Sequence, residues 1–253
     1  ESLVSQGLAD ASSVATPFAS PRRLAVYVTG VAERAADRQS KQKLMPVAVA
    51  LDAAGNPTPA LLKKLAALGA DISIVPRLRR ESDGKAEVLF MDSVVKGMTL
   101  VLGLAKALWE SLDKLPIPKV MAYQLADGWS TVNFVRPVHG LVALHGAEVV
   151  DVQMFGLKAG RETQGHRFEA KSRIVSIRDA DSYAQQMESE GAVIAGFESR
   201  RAEIEKQLKA AAAKEGLKPI EDEALLDEVT ALVERPNVLT CRFEQEFLDV
   251  PQE

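Results

Sequence analysis

Residues 134–168 read FVRPVHGLVALHGAEVVDVQMFGLKAGRETQGHRF, and this stretch is the most specific part of the chain. Two apolar runs, residues 141–144 and 149–155, flank a turn at His145 and Gly146, which predicts a hairpin. All three histidines of the protein lie within the stretch, and arginines stand beside proline or glycine at both of its ends. We therefore expect the function of the chain to lie close to these residues.

The composition is that of a globular protein with one large domain or two modest ones. The 253 residues are 47% hydrophobic and 26% charged, and no apolar run reaches the roughly 18 residues of a membrane span. A single cysteine, Cys241, excludes an internal disulfide and suits a reducing compartment, so we expect a cytoplasmic protein with no membrane partner. Cys241 lies in a strand-like segment, which predicts a small core or sheet residue.

Charge is unevenly distributed along the chain. Residues 179–253 hold 18 acidic against 8 basic side chains, whereas residues 1–178 hold 23 basic against 17 acidic. A positive front suits an anionic partner and a negative tail suits a protein partner. Solvated acidic helices in the tail would give the same pattern.

The order of elements predicts an α+β fold of mixed or antiparallel sheets with flanking helices. Strands are predicted at residues 24–29, 47–51, 174–177 and 238–243, a hairpin over residues 72–92, and helices at residues 59–68, 99–115, 197–215 and 223–234. Residues 33–43 are predicted to be a loop or a frayed helix. We expect residues 1–16 to be the remnant of a truncated element, and residues 17–253 to form the α+β region, divided between lobes at 17–115 and 116–253.

Patterns typical of catalysis are incomplete in this sequence. Gly160 and Gly165 have the spacing of a phosphate-binding loop, but His166 and Arg167 follow where that motif requires lysine and a hydroxyl residue. The histidines lack metal-ligand spacing, and no Ser-His-Asp order is recognisable. We predict neither a catalytic residue nor a metal site.

A basic segment is the stronger indication of function. Between Lys158 and Arg178, six cations face only Glu162 and Glu169, and the intervening glycines permit a close approach of main chain to an anion such as an RNA phosphate. A basic loop without a ligand is the competing interpretation. His166 suits a polar role, and His139 is expected to be a core or sheet-end residue rather than a base.

Four separated motifs resemble one protein family. They are SPRRLAV at residues 20–26, FVRPVH at 134–139, GR at 160–161 with GHRF at 165–168, and LLDEVT at 225–230 with LVE at 232–234. In order and spacing they resemble the β subunit of bacterial tetrameric glycyl-tRNA synthetase, and the resemblance runs from about residue 16 onward. Gly140 and Arg235 stand where the family usually has tryptophan.

This resemblance implies an amino-terminal piece of an aminoacyl-tRNA synthetase subunit in an α2β2 ligase, which joins glycine to its tRNA with ATP. The catalytic core, with ATP and Mg, is then expected on the α subunit, and no cofactor on this piece. The fold is expected to be similar to the editing-type module of the phenylalanyl-tRNA synthetase β subunit. Expected partners are the α subunit, a second β subunit and tRNA-Gly. The residues expected to contact tRNA are Arg22, Arg23, Arg136, His139, Arg161, His166 and Arg167.

Three roles remain open at this point. The leading expectation is a non-catalytic module that binds tRNA and takes part in assembly. The first alternative is an editing-type hydrolase of mischarged tRNA, for which His166 and Thr163 are the polar candidates. The second is a structural scaffold whose acidic tail docks the α subunit.

Overall fold

The structure, a computed structural model, describes residues 1–249 except 53, 83, 85, 118 and 136, and the side chains of Phe134, Leu248 and Asp249 are also left out. Helices and small antiparallel sheets alternate along the described chain, which confirms the α+β class. The expected likeness to a phenylalanyl-tRNA synthetase module stays a prediction. No helix in the described part combines the length and apolar content of a membrane span.

Two compact units make up the chain, one of residues 1–33 with 100–253 and one of residues 34–99. Their boundaries lie away from residues 115 and 116, and the predicted lobes 17–115 and 116–253 stay a prediction. The helices are α1 (Ser2–Ser5), α2 (Val47–Ala50), α3 (Pro59–Ala67), α4 (Leu100–Asp113), α5 (Tyr183–Ser189), α6 (Phe197–Lys214) and α7 (Glu223–Leu232), with 3-10 helices at Ile72–Arg77 and Gln245–Asp249.

In the unit of residues 34–99, a three-stranded antiparallel sheet packs on α3. The strands are β3 (Arg38–Pro46), β4 (Arg79–Ser82) and β5 (Glu87–Val95), in the order β3-β5-β4. Leu61 and Leu65 of α3 meet Leu89 and Met91 of β5 in a buried cluster. Helix α3 begins as predicted, because Thr58 Oγ1 accepts a hydrogen bond from the Leu61 N–H at 3.4 Å and Pro59 holds the first position.

In the unit of residues 1–33 and 100–253, α1 is followed by the hairpin of β1 (Ala15–Ser20) and β2 (Arg23–Val28), which confirms the predicted strand at 24–29. Later strands pair in short hairpins: β6 (Met121–Gln124) with β7 (Thr131–Phe134), β8 (Leu144–His145) with β9 (Glu148–Val149), β10 (Gln153–Met154) with β11 (Leu157–Lys158), and β12 (Glu162–Gln164) with β13 (Ile174–Ser176).

The stretch at residues 134–168 is therefore a succession of two-residue ladders rather than one hairpin. Gly146 and Gly156 lie in the turns of the β8–β9 and β10–β11 hairpins, and Phe155 and Gly156 both have positive φ angles, 56° and 76°. A parallel bridge joins Val142 to Gly160 and brings the end of the stretch back to its beginning. The stretch thus leads directly into β12 and the segment that follows it.

Beneath β13 lies a small core that positions this segment. Val175 and Ile177 pack with Met187 of α5 and Val193 of the following loop, and all four are nearly or fully inaccessible to solvent. The apolar run at residues 192–195 is thus a buried loop. Helix α7 begins where the acidic residues predict, since the Asp222 side chain accepts from the Leu225 N–H at 2.9 Å.

Three local predictions are wrong. Residues 38–46 form strand β3, residues 47–50 form a helical turn, and residues 238–243 form no strand. Cys241 is accordingly exposed and not a core or sheet residue. Only part of the predicted hairpin over residues 72–92 is extended, because residues 72–77 form a 3-10 helix; its turn residues 83 and 85 lie outside the described residues.

Candidate nucleic-acid interface

The loop between β12 and β13 carries the exposed part of the basic segment. We call residues 165–173 the basic loop. The Gly165 N–H donates to the Arg173 carbonyl oxygen at 3.0 Å. The adjoining residues Gln164 and Ile174 are the first pair of the β12–β13 ladder. The basic loop is thus closed at its base and projects from a two-stranded ladder.

His166 fixes the first turn of the basic loop. Its main-chain N–H donates to the Gly191 carbonyl oxygen at 2.7 Å. Its ring Nδ1 accepts from the main-chain N–H groups of Phe168 and Glu169 at 3.4 and 3.3 Å. An Nδ1 that accepts hydrogen bonds places the proton of the neutral ring on Nε2. His166 therefore organises the loop in the way a capping side chain organises a helix end.

Gly165 is required by close packing at the base of the basic loop. A Cβ atom built on it would lie 2.6 Å from the Ala170 Cβ and 3.1 Å from the Gly191 carbonyl oxygen. Together with the Lys171 N–H, which donates to the Glu190 carbonyl oxygen at 3.2 Å, this contact holds the loop against the 190–191 segment. The basic loop is a packed feature of the fold.

Cations on the basic loop face solvent. Arg167, Lys171 and Arg173 are exposed, and within the part of the chain that the structure describes their side chains form no hydrogen bond or ion pair. The loop's one acid, Glu169, lies 3.7 Å from the guanidinium of Arg235. The positive charge of the loop is therefore available to an anionic partner.

Arg161 has a different environment. Its guanidinium donates to the carbonyl oxygens of Ala147, Arg178 and Ile177 at 2.8, 3.2 and 3.4 Å. It thereby connects the β8–β9 turn to the end of β13. These hydrogen bonds hold the β8–β9 turn against the β12–β13 ladder, which carries the basic loop.

Arg22 and Arg23 converge on one buried carboxylate. Glu234, 5% exposed, accepts from Arg22 Nη2 at 2.6 Å, from the Ser20 hydroxyl at 2.9 Å and from Arg23. Arg23 also donates to the Gln164 carbonyl oxygen, one residue before the basic loop. The two arginines thus join the β1–β2 turn to the end of α7.

The pKa of Glu234 reflects this cluster. Burial on its own raises the pKa of the carboxyl group, but the hydrogen bond from Arg22 and the positive charge of Arg23 outweigh it. The net result is a pKa below the ordinary value of glutamate. Glu234 is therefore a charged partner of the two arginines at neutral pH.

Arg200 has a structural role that our sequence analysis missed. It is fully buried, and it donates to main-chain oxygens of three segments: Ala19 at 2.8 Å, Ile194 at 2.8 Å and Thr230 at 3.0 Å. Burial lowers its pKa, and Glu234 acts in the opposite direction. A sequence signal exists, because Arg200 shares a helix face with Phe197 and Ile204 at spacings of three and four.

The remaining predicted contacts are dispersed. His139 is exposed, and Arg136 lies outside the described residues. The structure thus brings Arg22, Arg23 and His166 around the base of the basic loop, places Arg161 at the opposite end of the β12–β13 ladder and leaves Arg167 exposed on the loop. The prediction that these residues contact tRNA stays a prediction.

Open clefts beside the basic loop are acidic. One of about 410 Å³ is lined by Glu169, Glu188 and Glu203, and a neighbouring one of about 460 Å³ by Glu169, Glu188, Glu190 and Lys171, with Arg235 in both. Carboxylates repel phosphate, so an anion is favoured on the exposed side of the loop. Among the described residues, no cluster of His, Cys, Asp and Glu is arranged to hold a metal ion.

Comparison with known families decides the classification. The family model described as the glycyl-tRNA synthetase beta subunit matches residues 1–253. The chain belongs to the glycyl-tRNA synthetase β-subunit family. The resemblance carried by the four sequence motifs is thereby confirmed.

Relatives within the glycyl-tRNA synthetase β-subunit family are close. The glycine–tRNA ligase beta subunits of Thiobacillus denitrificans, Leptothrix cholodnii and a Janthinobacterium species are 74%, 73% and 67% identical to this chain, and each alignment covers 100% of it. The same alignments cover 36%, 35% and 36% of the relatives. The chain therefore spans about a third of their length.

Proposed function

We propose that this chain is the part of a glycine–tRNA ligase β subunit that contacts tRNA and takes part in assembly. The observation that carries the proposal is the family match along all 253 residues, supported by 74% identity to a glycine–tRNA ligase beta subunit. The complete enzyme joins glycine to tRNA-Gly with ATP in the cytoplasm. The chain is thus a component of an aminoacyl-tRNA synthetase.

In this proposal the α subunit carries the chemistry. ATP and Mg bind there, and this chain contributes no catalytic residue, cofactor or metal ligand. The name β subunit, which the relatives carry, implies a companion α subunit. A second β subunit completes the α2β2 assembly.

Support for RNA contact comes from the basic loop. Arg167, Lys171 and Arg173 are exposed on a segment that hydrogen bonds hold in place. Lys171 also lines one of the two acidic clefts, whereas Arg167 and Arg173 line neither of them. Cations on a preorganised loop bind phosphate with little loss of conformational entropy. Arg22, Arg23, Arg161 and His166 act in this proposal by holding the loop and its surroundings in place.

The geometry of His166 favours this role over the hydrolase alternative. A general base needs a free ring nitrogen within reach of the proton it removes. The Nδ1 of His166 already accepts main-chain hydrogen bonds from Phe168 and Glu169, and its Nε2 carries the proton of the neutral ring. We therefore assign His166 to the positioning of the loop.

Filter binding of tRNA-Gly to the full-length subunit with its α partner tests the RNA contact. The affinity is measured at about 50 and 200 mM salt, where neutralisation of phosphates gives a steep salt dependence. Arg167, Lys171 and Arg173 are replaced together by alanine. Lys218→Ala, an exposed lysine outside the basic loop, is the matched control.

The triple variant is expected to bind tRNA more weakly and to reduce the slope of log K against log salt by roughly 0.9 for each lost phosphate contact. The control should match the unsubstituted protein. Binding that ignores salt, or a triple variant that behaves like the control, would overturn the RNA contact. Hydrolysis of alanyl- or seryl-tRNA that His166→Ala abolishes would favour the hydrolase instead.

A further inference from the structure

Phe168 is the most prominent apolar side chain of the basic loop. It is 85% exposed and stands between Arg167 and Lys171 in sequence. Its ring meets that of His166 edge-on at 6.2 Å between centroids, which leaves most of its surface open to solvent. Other apolar side chains of the chain, such as Trp129 and Phe243, are also exposed, so a functional role for Phe168 is indicated by the cations beside it and not by exposure alone.

The fold does not depend on the Phe168 ring. The loop is held by main-chain hydrogen bonds, by His166 Nδ1 and by the close packing at Gly165, and the small core beneath β13 is formed by other residues. Its main-chain N–H takes part in the turn, but any residue other than proline supplies that group. Among the described residues, the edge contact with His166 is the aromatic contact that the Phe168 ring makes, and the hydrogen bonds that hold the loop do not involve the ring.

The surroundings of Phe168 match the needs of a nucleotide. Three cations that form no ion pair or side-chain hydrogen bond within the described residues, Arg167, Lys171 and Arg173, share its loop and attract phosphates, while an aromatic ring offers a face to a base. We infer that Phe168 stacks on an unpaired base of the bound RNA and that the loop cations hold the adjacent phosphates. This inference rests on the RNA contact proposed above and assigns the base-binding part of that site.

An unpaired base is the ligand that fits an exposed ring on a basic loop. Bases inside a duplex are stacked on both faces, and a side chain reaches them only by forcing them apart. Bases in RNA loops, bulges and ends offer free faces, and aromatic side chains stack on them. Stacking is sequence-tolerant, so Phe168 would read the presence of an unpaired base more than its identity.

Substitution at residue 168 separates stacking from charge. Phe168→Ala removes the ring, and Phe168→Tyr keeps it. The control is Phe243→Ala, because Phe243 is also an exposed phenylalanine, at 70%, and lies outside the loop. The affinity of the full-length subunit with its α partner for tRNA-Gly is measured for each variant over the same salt range as above.

Loss of one stacking contact is expected to weaken binding roughly 5- to 150-fold in Phe168→Ala, with an unchanged salt slope because no charge is removed. Phe168→Tyr and the control should bind as the unsubstituted protein does. Phe168→Trp provides a second readout: its added fluorescence should be quenched on RNA binding, whereas that of Phe243→Trp should not.

The outcomes distinguish this inference from the proposed function. If the triple loop variant loses affinity while Phe168→Ala does not, the RNA contact stands and the stacking role is overturned. If no form binds tRNA in a salt-dependent way, both fail. Weakened binding of the α subunit, rather than of RNA, by Phe168→Ala would show that the ring serves a protein partner and would also overturn the inference.

Discussion

Arg200 and Arg201 are consecutive residues of α6 with opposite environments. Arg200 is fully buried and donates to main-chain oxygens of β1, of the 194–196 loop and of α7. Arg201 lies at the surface, where it pairs with Asp227 at 2.7 Å and with Glu223. The first arginine connects segments through the core, and the second joins two helices at their exposed edges.

The first prediction concerns the stability that Arg200 provides. Arg200→Met should lower the free energy of unfolding by about 3–5 kcal/mol, because several buried carbonyl oxygens lose their donor at once. Arg201→Met, the matched control on the same helix, should leave stability nearly unchanged. Urea unfolding followed by circular dichroism measures both, and equal effects would show that burial of the guanidinium is not what matters.

A second prediction follows from the lowered pKa of Glu234. A carboxyl group with a lower pKa in the folded than in the unfolded chain stabilises the fold above the unfolded value, about 4.3, and this contribution disappears as pH falls through the folded pKa. Glu234→Gln should therefore be less stable than the unsubstituted protein at pH 7, and the difference should shrink below about pH 4.3. Urea unfolding at a series of pH values tests this, and a pH-independent difference would contradict it.

The third prediction is that Gly165 and Gly160 respond differently to alanine. Gly165→Ala should destabilise the protein by about 1–3 kcal/mol and loosen the basic loop, since the added Cβ meets Ala170 at 2.6 Å. Gly160→Ala should be nearly neutral, because a Cβ there has no atom within 4 Å. Thermal unfolding and hydrogen exchange of residues 165–173 measure the two effects. Equal exchange in both variants would show that the packing at Gly165 does not hold the loop.

Arg161 and Arg167 give a fourth prediction. Arg161→Ala should lower the free energy of unfolding by about 1–3 kcal/mol through the loss of its carbonyl partners. Arg167→Ala should keep full stability and weaken tRNA binding instead. Urea unfolding and filter binding of the same two proteins separate the roles. The assignment fails if Arg161→Ala unfolds at the same urea concentration as the unsubstituted protein.

Exposure of Cys241 supplies the fifth prediction. Its thiol should react with a disulfide reagent such as dithionitrobenzoate in the folded protein, because reaction requires access to solvent. Without denaturant, Cys241→Ser should react with one equivalent less than the unsubstituted protein. A thiol that reacts only after addition of urea would show that the segment around residue 241 is covered.

Regular elements with local signals were predictable from sequence. Thr58 and Pro59 mark the start of α3, and Asp222 marks that of α7, because a capping side chain acts within a few residues of its position. The alternating strand after Arg23 likewise depends on local pattern. These signals need no knowledge of the tertiary structure.

Predictions failed where tertiary contacts outweigh local preference. Strand β3 looked like a polar loop because Lys41 and its neighbours lie on an edge strand, where charged residues are common. Val47–Ala50 has a strand-like composition, yet it forms a helical turn that buries Ala50 among Leu61 and Leu65. Tertiary packing determined the conformation of both segments.

The location of the candidate site was predictable from sequence, but the separate roles of its residues were not. The basic segment and the glycines around His166 pointed to the loop between β12 and β13. Composition alone could not show that Arg22 and Arg23 are held by Glu234, a residue more than 200 positions away. Phe168 belongs to the GHRF motif of residues 165–168, but its exposure is evident only in the folded chain.

The contacts of Ser20, Arg22 and Arg23 with Glu234 have a consequence for synthesis on the ribosome. At about 5–20 residues per second, roughly 10–40 s pass between the emergence of the β1–β2 hairpin and that of its buried carboxylate partner. An isolated two-stranded hairpin is at best marginally stable in water. Leu24 and Val26, 73% and 61% exposed even in the folded chain, would be accessible throughout that interval. The newly made hairpin therefore gains the support of this cluster only after residue 234 has been synthesised.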